Sequence, residues 1–110
     1  MKSPCVYILA SKPSGTLYIG VTSDLHGRMA EHDQELIEGF TKRYGVKLLV
    51  YYEFHDEMAG AIGREKRLKE WRRAWKVRLI ETMNPEWTNL FDPANGEILP
   101  GPADIARQKA

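Results

Sequence analysis

Five side chains in this 110-residue chain have the types and spacing to do chemistry together: Tyr7, Tyr18, Arg28, His32 and Glu65. The two tyrosines stand eleven positions apart, each followed by isoleucine, in Val6-Tyr7-Ile8 and Tyr18-Ile19-Gly20. Aromatic residues pack well in strands, so two tyrosines alone say little beyond structure. The polar residues downstream change that. Arg28 and His32 are four apart and share a helix face, close to Leu25, Met29 and Leu36. A cation and an imidazole at the edge of an apolar face need partners. Arg28 can pair with Glu31, or its planar fork can take a phosphate. Glu65 lies three residues from both Ile62 and Leu68, on the border of another apolar stripe. Lys69 offers it an intrahelical ion pair. The alternative is a hard cation such as Mg²⁺, which keeps several waters and takes one or two carboxylates plus phosphate oxygens. With no second acid cluster, the pattern suits a one-metal phosphodiester-cleaving site rather than a two-metal one.

Those residues have to be positioned by a few elements. Pro4 to Ala10 and Thr16 to Thr22 read as strands joined by the turn Lys12-Pro13-Ser14-Gly15, a hairpin that places the two phenols near each other. Ser23 and Asp24 are N-cap candidates for a helix running to about Glu38, with Gly39 as its stop. Gly27 weakens that helix by about 1 kcal/mol relative to alanine. Val46 to Phe54 is a third strand whose near-continuous apolar run predicts burial on both faces, hence a central position. From about Asp56 to Met83 the pattern is helical, with Leu68, Trp71, Trp75 and Leu79 spaced by three and four, and Pro85 ends it. The fold class is therefore α+β: a small three-stranded, mainly antiparallel sheet flanked by helices, in the order β-β-α-β-α-α. Residues 1–91 form the domain, and the Pro- and Gly-containing segment 92–110 reads as a loosely ordered tail.

Composition bounds the function classes. Apolar content of 43% and charged content of 28% fit one ordinary soluble domain, and no apolar run is long enough to span a membrane. The single cysteine, Cys5, can form no internal disulfide and supplies no zinc cluster; the cytosol is the simplest compartment. Net charge is only +1, yet eight basic and two acidic residues fall between Arg64 and Arg78, giving that segment +6 and the rest −5. Such a face suits a polyanion. Lys66, Arg67, Lys69, Arg72, Arg73 and Lys76 are its candidate phosphate contacts, which give affinity and position but no sequence readout. Trp71, Trp75 and Trp87 could stack on bases, although helical spacing assigns the first two to the core.

The spaced Val-Tyr-Ile and Tyr-Ile-Gly elements, Arg28-x-x-x-His32, Gly39-Phe40-Thr41-Lys42-Arg43-Tyr44, Arg64-Glu65-Lys66 and Asn84-Pro85-x-Trp87 follow one another in order. In this the chain resembles the GIY-YIG nuclease superfamily, most closely its small, stand-alone bacterial branch. The likeness runs from about Cys5 to Leu90. The first element departs from the family name, its glycine and isoleucine being replaced while the phenol is kept.

The resemblance implies a metal-dependent DNA endonuclease with little sequence specificity. Tyr7 and Tyr18 match the two signature tyrosines, Arg28 the catalytic arginine, His32 the histidine one turn later and Glu65 the metal-binding glutamate. Gly20 and Asn84 are supporting positions, with Asn89 as the other candidate for the family asparagine. One Mg²⁺ or Mn²⁺ ion would sit on Glu65, and either Tyr7 or Tyr18 would activate the attacking water. Lys42 and Tyr44 would add phosphate contact and site packing. The expected partner is nucleic acid, DNA before RNA, with no membrane and no obligate protein partner. The rival readings are a non-catalytic nucleic-acid-binding module of the same fold and a domain that binds an acidic protein through its basic helix.

Overall fold

The computed structural model describes residues 3–100. Two strands open the chain, β1 (Cys5–Ala10) and β2 (Leu17–Thr22). The turn between them is closed by Gly15 N donating to Lys12 O and Ser11 N to Thr16 O, with Ser14 at positive φ. Helices α1 (Leu25–Asp33) and α2 (Phe40–Tyr44) lead to β3 (Leu48–Phe54). Helices α3 (Met58–Glu70) and α4 (Arg73–Met83) follow, then two short strands, β4 (Phe91–Asp92) and β5 (Glu97–Ile98). The α+β class and the three-stranded antiparallel sheet are as expected; α2 and the β4–β5 hairpin are additions. No helix among the described residues is long and apolar enough to cross a membrane.

The strand order corrects the sequence reading: β1 is central, with β2 and β3 at the edges. Every residue of β1 is buried, whereas β3 grows more exposed toward Phe54. A bulge explains the misleading apolar run. Ile8 pairs with Tyr51 but Leu9 pairs with Leu49, so Val50 is an extra residue. The alternation of faces slips there. Val50 and Tyr51 both join the cluster containing Val6, Ile8, Leu68, Ile80 and Trp87, while Leu49 and Tyr52 join Tyr7, Leu9 and Met29 on the opposite face. The apolar run in β3 comes from that slip, not from a central place.

The first helix is shorter than its pattern predicts. Asp24 caps it as expected, its carboxylate accepting from Gly27 N at 3.2 Å. A Cβ on Gly27 would lie 2.5 Å from Asp24 Oδ2, so the bare glycine makes room for the cap rather than merely weakening the helix. The helix stops at Asp33, and Glu35 adopts φ 57°. Leu36 is consequently 64% exposed, and His32 occupies the buried stripe with Leu25 and Met29.

The helical stretch from 56 to 83 is also interrupted. Trp71 and Arg72 are both extended, which resets the helical phase. Leu68 stays buried and Trp71 is half-buried, but Trp75 is turned to the surface and α4 buries Ile80 instead; of the three tryptophans only Trp87 is buried.

Residues 92–100 are tied down. Leu99 N donates to Leu90 O at 2.7 Å and Tyr52 Oη donates to Leu99 O at 3.0 Å. The remainder of the expected tail, 101–110, lies outside the described residues.

Asn84, fully buried at the end of α4, donates from Nδ2 to the carbonyls of Val50 and Thr88, while its Oδ1 accepts from Thr88 N and Oγ1. Asn89 Oδ1 accepts from Leu49 N and Phe91 N. Both asparagines fasten the C-terminal segment to β3. Asn84→Ala strands several buried partners and should cost about 2 kcal/mol, read as a lower midpoint in urea denaturation.

Candidate active site

Strand pairing brings the signature residues together. Tyr7 faces Gly20 across the β1–β2 pair and Leu9 faces Tyr18. Cross-strand partners and alternate residues share a face. Both phenol rings therefore project from one side of the sheet, with centroids 6.3 Å apart. Gly20 is needed for this arrangement, because a Cβ there would lie 2.4 Å from Tyr7 Oη and 2.5 Å from its Cζ.

α1 supplies the next two groups. His32 is buried, and its Nε2 lies 3.1 Å from Tyr7 Oη while its Nδ1 lies 3.2 Å from Thr41 Oγ1. Its ring packs edge-on to Tyr7 and Tyr18. Burial lowers the imidazole pKa, and the Arg28 charge lowers it further against a smaller opposing pull from Glu31. A neutral ring has one N–H and one lone pair. In the tautomer with Nδ1–H donating to Thr41, Nε2 is left to accept from the Tyr7 hydroxyl. Burial pushes the Tyr7 phenol well above its usual value; Tyr18, Cys5 and Glu65 add to that rise and Arg28 opposes it.

Arg28 sits one turn before His32. Its Nε is buried and makes no hydrogen bond among the described residues; Glu31 Oε1, at 3.8 Å, is within ion-pair range but beyond hydrogen-bonding reach. Glu65 comes from α3, which packs on β1 and β2. Its side chain is 14% exposed and meets Lys69 Nζ at 3.5 Å. Among the described residues no three His, Cys, Asp or Glu side chains form a metal-holding group. Thr41 was not legible as a member of this site: it lies nine residues past His32, across the break after α1, and spacing carries no signal for it.

A model of the GIY-YIG catalytic domain matches residues 3–78. The chain belongs to the GIY-YIG family. Among curated relatives, the UPF0213 protein of Staphylococcus aureus strain Mu3 is 33% identical over 81 residues, covering 74% of this chain and 98% of the relative. UPF0213 proteins SAV0488 of strain Mu50 and SA0446 of strain N315 match to the same extent. No solved structure matches the chain. The GIY-YIG match spans Tyr7, Tyr18, Arg28, His32 and Glu65 and stops before Asn84.

The basic residues around this GIY-YIG site are not equivalent. Lys42 is paired with Glu38 at 2.8 Å. Arg73 Nη2 donates to the carbonyls of Ser14 and Gly15 and so anchors the β1–β2 turn. Arg72 lies over the Trp75 ring, and Lys76 Nζ donates to Lys69 O. Lys66 and Arg67 are exposed on α3.

A second polar cluster joins β3 to α3. Glu53 accepts from Tyr51 Oη at 2.6 Å and from Arg64 Nε and Nη2 at 3.0 and 3.2 Å, and His55 Nε2 lies 2.6 Å from it. Arg64 also covers the Trp71 ring. Burial alone would raise the Glu53 pKa, but the hydrogen bonds from Tyr51, Arg64 and His55 outweigh it and hold the carboxyl below the usual range.

Proposed function

We propose that this protein is a metal-dependent endonuclease that hydrolyses DNA phosphodiester bonds with little sequence preference. The observation that carries the reading is the buried Arg28 Nε with no hydrogen-bond partner among the described residues, on a guanidinium whose charge reaches the Tyr7 phenol, which also feels Glu65. An unpaired buried donor costs about 1–3 kcal/mol, and a phosphate oxygen satisfies its fork. The donor set fits one hard divalent ion, Mg²⁺ or Mn²⁺: a single half-buried carboxylate, with waters and phosphate oxygens completing the shell. Glu65 would hold it. When bound, such an ion offsets the negative charge developing on the phosphate.

The chain's own groups do the remaining work. Tyr7 takes a proton from the attacking water as its phenolic proton passes to His32 Nε2. With Nδ1 protonated and donating to Thr41 Oγ1, the imidazole can accept it at Nε2. Arg28 donates to the phosphate oxygens as their charge increases. Tyr18 packs against both Tyr7 and His32 and keeps the relay aligned. This division makes Tyr7 the base, since Tyr7 is the phenol hydrogen-bonded to a proton acceptor.

The test is cleavage of single-stranded, duplex and branched DNA with Mg²⁺ or with chelator, beside Arg28→Ala and Glu65→Ala. Metal-dependent cleavage is expected, with Arg28→Ala about 100-fold slower and Glu65→Ala insensitive to added metal. Binding of every substrate without cleavage would identify a non-catalytic module instead. No binding even at low salt would leave the basic face to an acidic protein.

A further inference from the structure

A row of aromatic rings leads outward from the site. Tyr18 stacks on Phe40 at 6.3 Å with an interplanar angle of 24°, and Phe40 meets Tyr44 at 4.8 Å. Phe40 is 45% exposed and Tyr44 54%, so α2 holds two large rings at the surface. Arg43 lies over Tyr44 at 5.7 Å. Beside Phe40 runs a groove of about 340 Å³ lined by Leu17, Tyr18, Ile19, Phe40, Lys69 and Lys76. Its walls are apolar and aromatic, and its charges are two lysines. Lys69 also contacts the Glu65 carboxylate, so the groove touches the site twice, through Tyr18 and through Lys69.

We propose that this groove is a nucleobase subsite, in which an unpaired base adjoining the scissile phosphate stacks on Phe40 while its phosphates meet Lys69 and Lys76. The proposal rests on the nuclease reading above and adds a substrate class: a strand that is single-stranded at the cut. Aromatic faces beside cations bind single strands because every unpaired base offers a π-face and every phosphate a charge. A duplex keeps those base faces inside its own stack and presents only backbone and groove edges. Were Phe40 a packing residue for α2 alone, its ring would be covered. Phe40 is instead exposed and lines the groove.

The test uses the intact protein in chelator, where no metal-dependent cleavage intervenes, with fluorescence anisotropy on labelled oligothymidylate and on the same strand paired with oligoadenylate. The wild type should bind the single strand more tightly. Phe40→Ala should weaken single-strand binding about tenfold and leave duplex binding unchanged, and Phe40→Trp should restore it. Phe40→Leu, which keeps apolar bulk but no π-face, should behave like Phe40→Ala, with thermal melts checking that each variant folds. A 5-iododeoxyuridine-containing strand should photocrosslink to Phe40 or Tyr44.

Equal wild-type affinity for the two forms, or full single-strand affinity in Phe40→Ala, overturns the subsite. Adding Mg²⁺ to the same samples separates the two readings. Cleavage without any Phe40 effect removes the subsite and keeps the nuclease. Phe40-dependent single-strand binding without cleavage keeps the subsite as a binding site and removes the nuclease.

Discussion

Tyr7→Phe is expected to lower kcat by about 10³-fold while leaving DNA affinity and the melting temperature close to wild type. The ring that fills the space above Gly20 is retained, and only the hydroxyl facing His32 is lost. Tyr18→Phe keeps its packing against Tyr7, His32 and Phe40 and should cost much less. Equal losses in the two variants would refute Tyr7 as the base. The pH profile checks the same relay. His32 must be neutral to accept the phenolic proton, and its pKa in the folded protein is below the ordinary 6.5. The acid limb of kcat should therefore lie below pH 6.5, with a plateau through neutrality. An acid limb unchanged in His32→Gln would sink the relay. Stability follows with a defined sign. The unfolded histidine binds its proton more readily, so this group destabilises the fold progressively as pH drops from 6.5 toward the folded pKa.

Glu53→Ala is expected to cost about 3 kcal/mol of stability. It removes one carboxylate that receives three side chains, leaving the Arg64 guanidinium and the Tyr51 hydroxyl in a half-buried place without their acceptor. Equilibrium urea unfolding would measure it, and a loss under 1 kcal/mol would show that the cluster is surface decoration. Because the Glu53 pKa is lowered in the fold, its contribution is fully present above the ordinary carboxylate range. It is lost as pH falls through the folded pKa. Wild type should thus lose more stability on acidification than the variant does. Arg64 immediately precedes Glu65, so this clamp also fixes how α3 is rotated beneath the proposed metal-holding carboxylate.

The features legible in the sequence were local ones. The hairpin that pairs Tyr7 with Gly20, the Asp24 cap and the one-turn spacing of Arg28 and His32 all follow from neighbours in the chain. Strand order did not. The apolar run in β3 mimicked two-sided burial because Val50 is a bulge residue, and a bulge is defined by the partner strand. Leu36 and Trp75 misled for a related reason. Each continued an apolar period past a point where the backbone leaves the helix, at Glu35 and at Trp71–Arg72. Thr41 and Phe40 stood in the Gly39–Tyr44 motif without roles of their own, because those roles exist only once α2 is folded back toward α1 and β2. Glu53 gave no signal in the sequence, because its partner Arg64 lies eleven residues on and on another element.

The central position of β1 has a further consequence, in how the molecule opens and closes. A strand hydrogen-bonded on both sides and buried throughout exchanges its amide hydrogens only when the whole domain unfolds. The five-residue α2 and the nine-residue α1 can fray on their own. In the proposed mechanism the base, Tyr7, is thus mounted on the slowest-exchanging element, and Arg28 and Phe40, the proposed nucleic-acid contacts, on faster ones. On that proposal, product would be released by breathing of the helices while the phenol stays in register for the next turnover. In amide exchange, Tyr7 should report global stability, and Phe40 and Arg43 should exchange orders of magnitude sooner.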